Sequence, residues 1–242
     1  PAAAFTVDQP AWDVGYDTRS TDTYQQKNSD SGIAPIVASQ TATMRASGLP
    51  CFHGEFGGDT LNGATQPAHM HNGLWAGVMT GAAITPLLWC DGGNYPMLTT
   101  EMSDQFTHLA EFTSPLDYLA DSSAVPVALS LDSPSCRGWG MAGGNRACAW
   151  VQNTSGTMGG QTLTVSGLPD GCYDISWYDV WTSGATPFAT YAIASDGGTL
   201  ELAVPALERA DAACIIEPAG TGVLGTCIIA PRKLRAARPA LP

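Results

Sequence analysis

The sequence predicts an α/β segment followed by an all-β antiparallel sandwich, on three observations. Short apolar runs alternate with stripes of helical spacing through about the first 115 residues. The stripes stop near residue 122. From there short alternating runs follow one another between Gly, Pro and Asp turns, and strands spaced by about ten residues are the mark of an antiparallel sandwich.

In the first segment WDVGY (12–16) is a short strand, and residues 17–31 are polar, aperiodic loop. Ile33, Ile36, Val37, Gln40 and Met44 fall at helical spacing, and Gly48 is a natural stop. LPCFHGEF is strand-like and runs into Gly57-Gly58, then into a polar loop from Asp59 to Pro67. Met70, Leu74, Trp75, Val78 and Met79 form a second helical stripe. TPLLWC (85–90) is another apolar strand, broken by Asp91-Gly92-Gly93-Asn94, and Met102, Phe106, Leu109 and Phe112 mark a third helix. Strand and helix alternating three times imply parallel strands with crossover helices. Functional side chains then belong at the C-terminal ends of the strands.

The boundary falls near Asp121 to Val125, dividing the chain into residues 1–121 and a sandwich over 122–230. The predicted strands are PVALSL, ACAWVQN, QTLTVSG, CYDISWYDV, FATYAIA and TLELAVP, with turns at Pro169-Asp170-Gly171 and Asp196-Gly197-Gly198. Residues 231–242 carry Arg232, Lys233, Arg235 and Arg238 and read as a solvated, poorly ordered basic tail. The N-terminus begins without Met and without a signal-peptide layout, and reads as the cut edge of something longer.

Composition narrows the function classes. Hydrophobic residues are 44% of the 242, a globular composition. The net charge of −12 argues against nucleic acid and anionic membranes, and leaves neutral ligands such as sugars. No apolar run approaches the ~18 residues a membrane span needs. The seven Cys include no C-x-x-C pair, so a zinc site is not expected; no cofactor or other metal is expected either. Five of them lie in the second half, as one or two disulfides of an extracellular or periplasmic protein or as buried thiols.

The strongest local signal for chemistry is HGEFGG, residues 53–58. A Glu that ends a strand in front of two glycines is either a solvated surface residue or a carboxylate pointing into a barrel mouth, where the glycines let a ligand approach. His53 shares the strand face of Glu55 at period two, as a neighbour of the site or as a satisfied core histidine. Trp89 at the end of PLLWC is either core or a flat face on which a sugar ring stacks. Asp91 follows it as an acid or as a capping residue. His69 and His71 sit two apart on a helix, on different faces, and are no metal pair; His71-Asn72 reads as helical surface or as the border of a sugar site. Asn153-Thr154-Ser155 fits the N-glycosylation pattern. No nucleophile elbow, P-loop or dinucleotide fingerprint occurs.

The order Gly-Glu-Phe-Gly, then HNGLWAGVMTGAA (71–83), then LLWCD (87–91) resembles the last third of a clan-A (β/α)8 glycoside hydrolase of the cellulase and mannanase type. That resemblance implies a partial (β/α)8 barrel, about its last three β/α units, with the β-sandwich appended. It implies a retaining, β-glycan-active enzyme with Glu55 as nucleophile, Trp89 as the sugar platform and His53, Tyr16 and Asp91 around the substrate. The partner is then an oligo- or polysaccharide. In such enzymes the acid/base is an Asn-Glu pair, and no Asn-Glu occurs in this sequence. Retaining hydrolysis needs two carboxylates about 5–5.5 Å apart, so the chain is expected to be incomplete as an enzyme, with the acid upstream. Three parallel strands would also leave an open edge that invites association. The competing readings are a non-catalytic carbohydrate-binding or adhesion module, with Trp139, Trp150, Trp177 and Trp181 as a stacking surface, and an α/β protein that has lost activity.

Overall fold

A computed structural model describes residues 32–46, 48, 53, 66–83, 99–120 and 123–220. Each of the three helical stripes is a helix: α1 spans Ile33–Arg45, α2 Gln66–Val78 and α3 Thr100–Thr113, with a 3₁₀ turn at Asp117–Ala120. In α1, Pro35 sits in the first turn, where its missing amide costs no hydrogen bond. Gly48 follows the helix at φ 74°, a left-handed conformation that favours glycine. Thr99 caps α3, its hydroxyl accepting from the amide of Met102. Helix α1 packs on α2, and α2 on α3. The central helix α2 is buried on nearly every side, including its polar residues His69, His71 and Asn72.

The second half is antiparallel β-structure. Strands β1 (Val125–Pro126), β3 (Cys136–Gly143), β4 (Arg146–Asn153), β9 (Asp211–Pro218), β6 (Gly171–Tyr178) and β7 (Ala189–Ser195) form one sheet in the order β1-β3-β4-β9-β6-β7. Strands β2 (Ala128–Leu131), β5 (Thr162–Ser166) and β8 (Thr199–Ala203) form a second, in the order β2-β5-β8. Every strand pair among the described residues is antiparallel. The parallel strands expected at 12–16 and 85–90 lie outside the described residues, as does 49–56 except for His53.

The larger sheet is covered on both faces. Leu163, Val165, Leu200 and Leu202 of the smaller sheet close over Ala147, Ala149, Val151, Ile175, Trp177, Ala212 and Cys214. On the opposite face Met141, Cys148, Trp150, Ala213 and Ile215 meet Trp75, Met79 and Phe112 of the helical layer. This accounts for two strands that alternation did not predict. β9 reads AACII, without a polar beat, because neither of its faces meets water. β3 reads CRGWGMAG, its glycines admitting close neighbours: a Cβ on Gly143 would collide with the ring of Tyr118. The smaller sheet keeps strict alternation in TLTVS and TLELA because only one of its faces is covered.

Candidate functional site

Asp211 opens β9 on the helix-facing side and is fully enclosed. Its Oδ2 accepts from His71 Nε2 of α2 at 2.7 Å and from the Trp150 indole of β4 at 2.7 Å. Its Oδ1 accepts from the Trp181 indole, in the segment after β6, at 2.6 Å. His71 Nδ1 lies 2.7 Å from Gln105 Oε1 of α3. Gln105 directs its amide NH₂ to the carbonyl of Glu101, which turns its oxygen toward the ring. The two ring nitrogens of His71 thus lie against Gln105 on one side and Asp211 on the other. The Trp181 ring stacks on the same imidazole at 4.1 Å. Burial alone would raise the Asp211 carboxyl; the charge of His71 and the hydrogen bonds from His71, Trp150 and Trp181 reverse that and hold it below its ordinary range.

A second chain of polar side chains runs beside the first. Asn72 Oδ1 accepts from Gln152 Nε2 at 2.6 Å, and Gln152 Oε1 accepts from both Nε and Nη2 of Arg137. The Arg137 guanidinium lies over the Trp139 ring, and Trp139 stacks on Trp150. Together the two chains span α2, α3, β3, β4 and β9. Their centre is closed to solvent, and they hold elements together.

His53 is 7% exposed. The Thr41 hydroxyl gives its proton to the Val37 carbonyl, so it accepts from His53 Nε2–H at 2.8 Å. Burial lowers the His53 pKa to about 4, so the ring is neutral at neutral pH. Glu55, Trp89, Asp91 and Tyr16 lie outside the described residues.

The helical-surface reading of His71-Asn72 is corrected: both are buried, because the sheet covers the side of α2 that a lone helix would show to water. The four tryptophans of the second half form no stacking surface. Trp150 and Trp177 are fully buried, and Trp139 and Trp181 are packed against the core. Asn153 of the glycosylation pattern is buried, its amide donating to the Thr157 carbonyl. Cys172 is disulfide-bonded, while Cys136, Cys148 and Cys214 are free thiols. Burial pushes the Cys148 thiol up to about 11, so it is inert. Nothing in the sequence marked Asp211, a single acid in front of an apolar run. Among the described residues no helix is long and apolar enough to cross a membrane.

No family model matches the chain, and no curated protein matches it. Among solved structures it is similar to a glycoside hydrolase at 10% identity and a TM-score of 0.40, over 75% of this chain and 47% of that one. It is also similar to the GH39 enzyme from Xanthomonas axonopodis pv. citri at 12% identity and a TM-score of 0.25, over 34% of this chain and 26% of that one. Both of these structures are glycoside hydrolases, and the chain spans less than half the length of either.

Proposed function

We propose that the chain is the C-terminal part of a secreted, retaining β-glycan hydrolase, with Glu55 as nucleophile and Trp89 as the sugar platform. The observation that carries this reading is the motif order HGEFGG, helix, LLWCD. Helix α2 supports it by lying between the two motifs, as a β/α unit requires. The three helices begin at residues 33, 66 and 100 and pack side by side in chain order, as consecutive crossover helices do. The disulfide at Cys172 suits an oxidising compartment. Tyr16 and Asp91 complete the substrate site on this reading, with Asp91 the first candidate for a proton donor within the chain.

The test separates nucleophile from acid. A 2-deoxy-2-fluoro-β-glucosyl or -mannosyl fluoride carries a leaving group that needs little protonation. Attack by a carboxylate forms a C–O bond to the sugar and expels fluoride, leaving a stable glycosyl ester. The expected result is one added fluoroglycosyl mass on the peptide holding Glu55, absent in Glu55→Gln. No label at concentrations where the sugar binds would sink the assignment.

His53 favours a second reading, an α/β protein that has lost activity. A regular strand puts positions 53 and 55 on one face, and His53 faces α1. A nucleophile at 55 requires the strand to have ended by Gly54. Sugar binding without labelling supports this second reading.

A further inference from the structure

Four ties join the helical layer to the larger sheet, each by a different chemistry. His71 and Gln105 meet Asp211, which also holds Trp150 and Trp181. Asn72 meets Gln152. Arg45, at the end of α1, donates to the carbonyl of Gly81 after α2 and to that of Ala124 just before β1. Glu111 of α3 accepts from the hydroxyl of Ser183 and the amide of Gly184, where a Cβ would collide with the backbone of His108. Around these ties Trp75 packs on Trp150, and Phe112 on Tyr178.

We infer that the β half is an intramolecular scaffold: β1–β9 and α1–α3 open as one cooperative unit, tied at its centre by Asp211, and the β half is not a separately folding sugar-binding module. A carboxylate enclosed by donors from α2, β4 and the segment after β6 cannot lose one of them without leaving a buried charge or unpaired donors behind. Among the described residues, the helical layer covers the apolar face of the larger sheet that carries Met141, Trp150 and Ile215. A module joined by a linker would show water-tolerant residues on that face, and here it shows Met141, Trp150 and Ile215. The inference does not depend on the role of Glu55.

Hydrogen exchange on the full 242-residue chain, read peptide by peptide, tests it. The slowest amides of α2, β4 and β9 should exchange through one opening with equal protection. Breaking a buried charge site is costly enough that Asp211→Asn should cut that protection by roughly a hundredfold or more, equally in helix and sheet. If Asp211→Asn does not fold, Trp181→Phe serves, since it removes one donor and keeps a ring over His71; a fall of about tenfold is expected at both places. Loss of protection in α2 with β4 and β9 unchanged would overturn the inference. So would unchanged protection in both, or unequal protection in the unmutated chain.

Discussion

Moving a carboxylate out of water costs several kcal/mol unless donors replace the water, and Asp211 has His71, Trp150 and Trp181 in that role. Asp211→Asn keeps the shape but sets an amide against one of those donors, a loss of about 3–5 kcal/mol by analogy with broken buried pairs. Acid acts on the same site. The folded-state pKa of Asp211 is depressed, so its contribution is complete above the ordinary value of 3.8 and is lost as pH falls below it through the folded value. His53 acts in a separate window. The unfolded chain binds a proton on this ring below pH 6.5, and the folded chain does not until about pH 4. Its stability is therefore complete above 6.5 and declines as pH falls from 6.5 to 4, by up to ~3 kcal/mol. Urea midpoints measured from pH 7 to pH 3 should show both slopes. In His53→Gln the slope between 6.5 and 4 should flatten while the one below 3.8 persists; a His53→Gln profile parallel to that of the unmutated chain would remove the assignment.

At the scale of elements, sequence patterns were clearest where one face of an element met water, as in TLTVS and TLELA. The stripes Ile33–Met44, Met70–Met79 and Met102–Phe112 each became a helix, and the six alternating runs each became a strand. AACII was missed because burial on both faces erases alternation, and CRGWGMAG because glycine contributes no hydropathy signal. The same burial hid the polar network, since neighbours on α2, β4 and β9 come together only through tertiary packing. Of the candidate site residues Glu55, Trp89, His53, Tyr16 and Asp91, only His53 falls among the described positions. The glycine logic gives a prediction at this scale. Gly184 lies against the α3 backbone at His108 and Phe112, which cannot yield as a side-chain tip would. Gly184→Ala should destabilise by about 1–3 kcal/mol through overpacking and release the Glu111 contact, seen as faster exchange in α3. A midpoint unchanged from that of the parent chain would show that the loop moves aside without cost.

At the scale of the whole molecule, the chain has a change of texture near residue 122 and no matching gap in its core. One apolar cluster runs from Ile33 through Trp75 and Phe112 to Trp150, Val180 and Ile215, crossing that point. The outer surface is otherwise quiet: Val125 and Phe188 are the large apolar residues exposed among those described. Cutting at 122 would uncover the helix-facing side of β3, β4, β9 and β6, with Met141, Trp150, Tyr178 and Ile215, and would leave Asp211 without His71. An apolar patch of that kind on an isolated domain drives association. A segment of residues 122–230 produced alone should therefore bind a hydrophobic dye strongly, elute from size exclusion as oligomers or aggregate, and unfold over a broad range. The smaller sheet still covers the opposite face, so strand content by circular dichroism should persist even as tight packing on the uncovered face is lost. A dye-silent monomer with a steep urea transition would mean that the sheet needs only its partner sheet, and that the helices are guests on a domain able to stand without them.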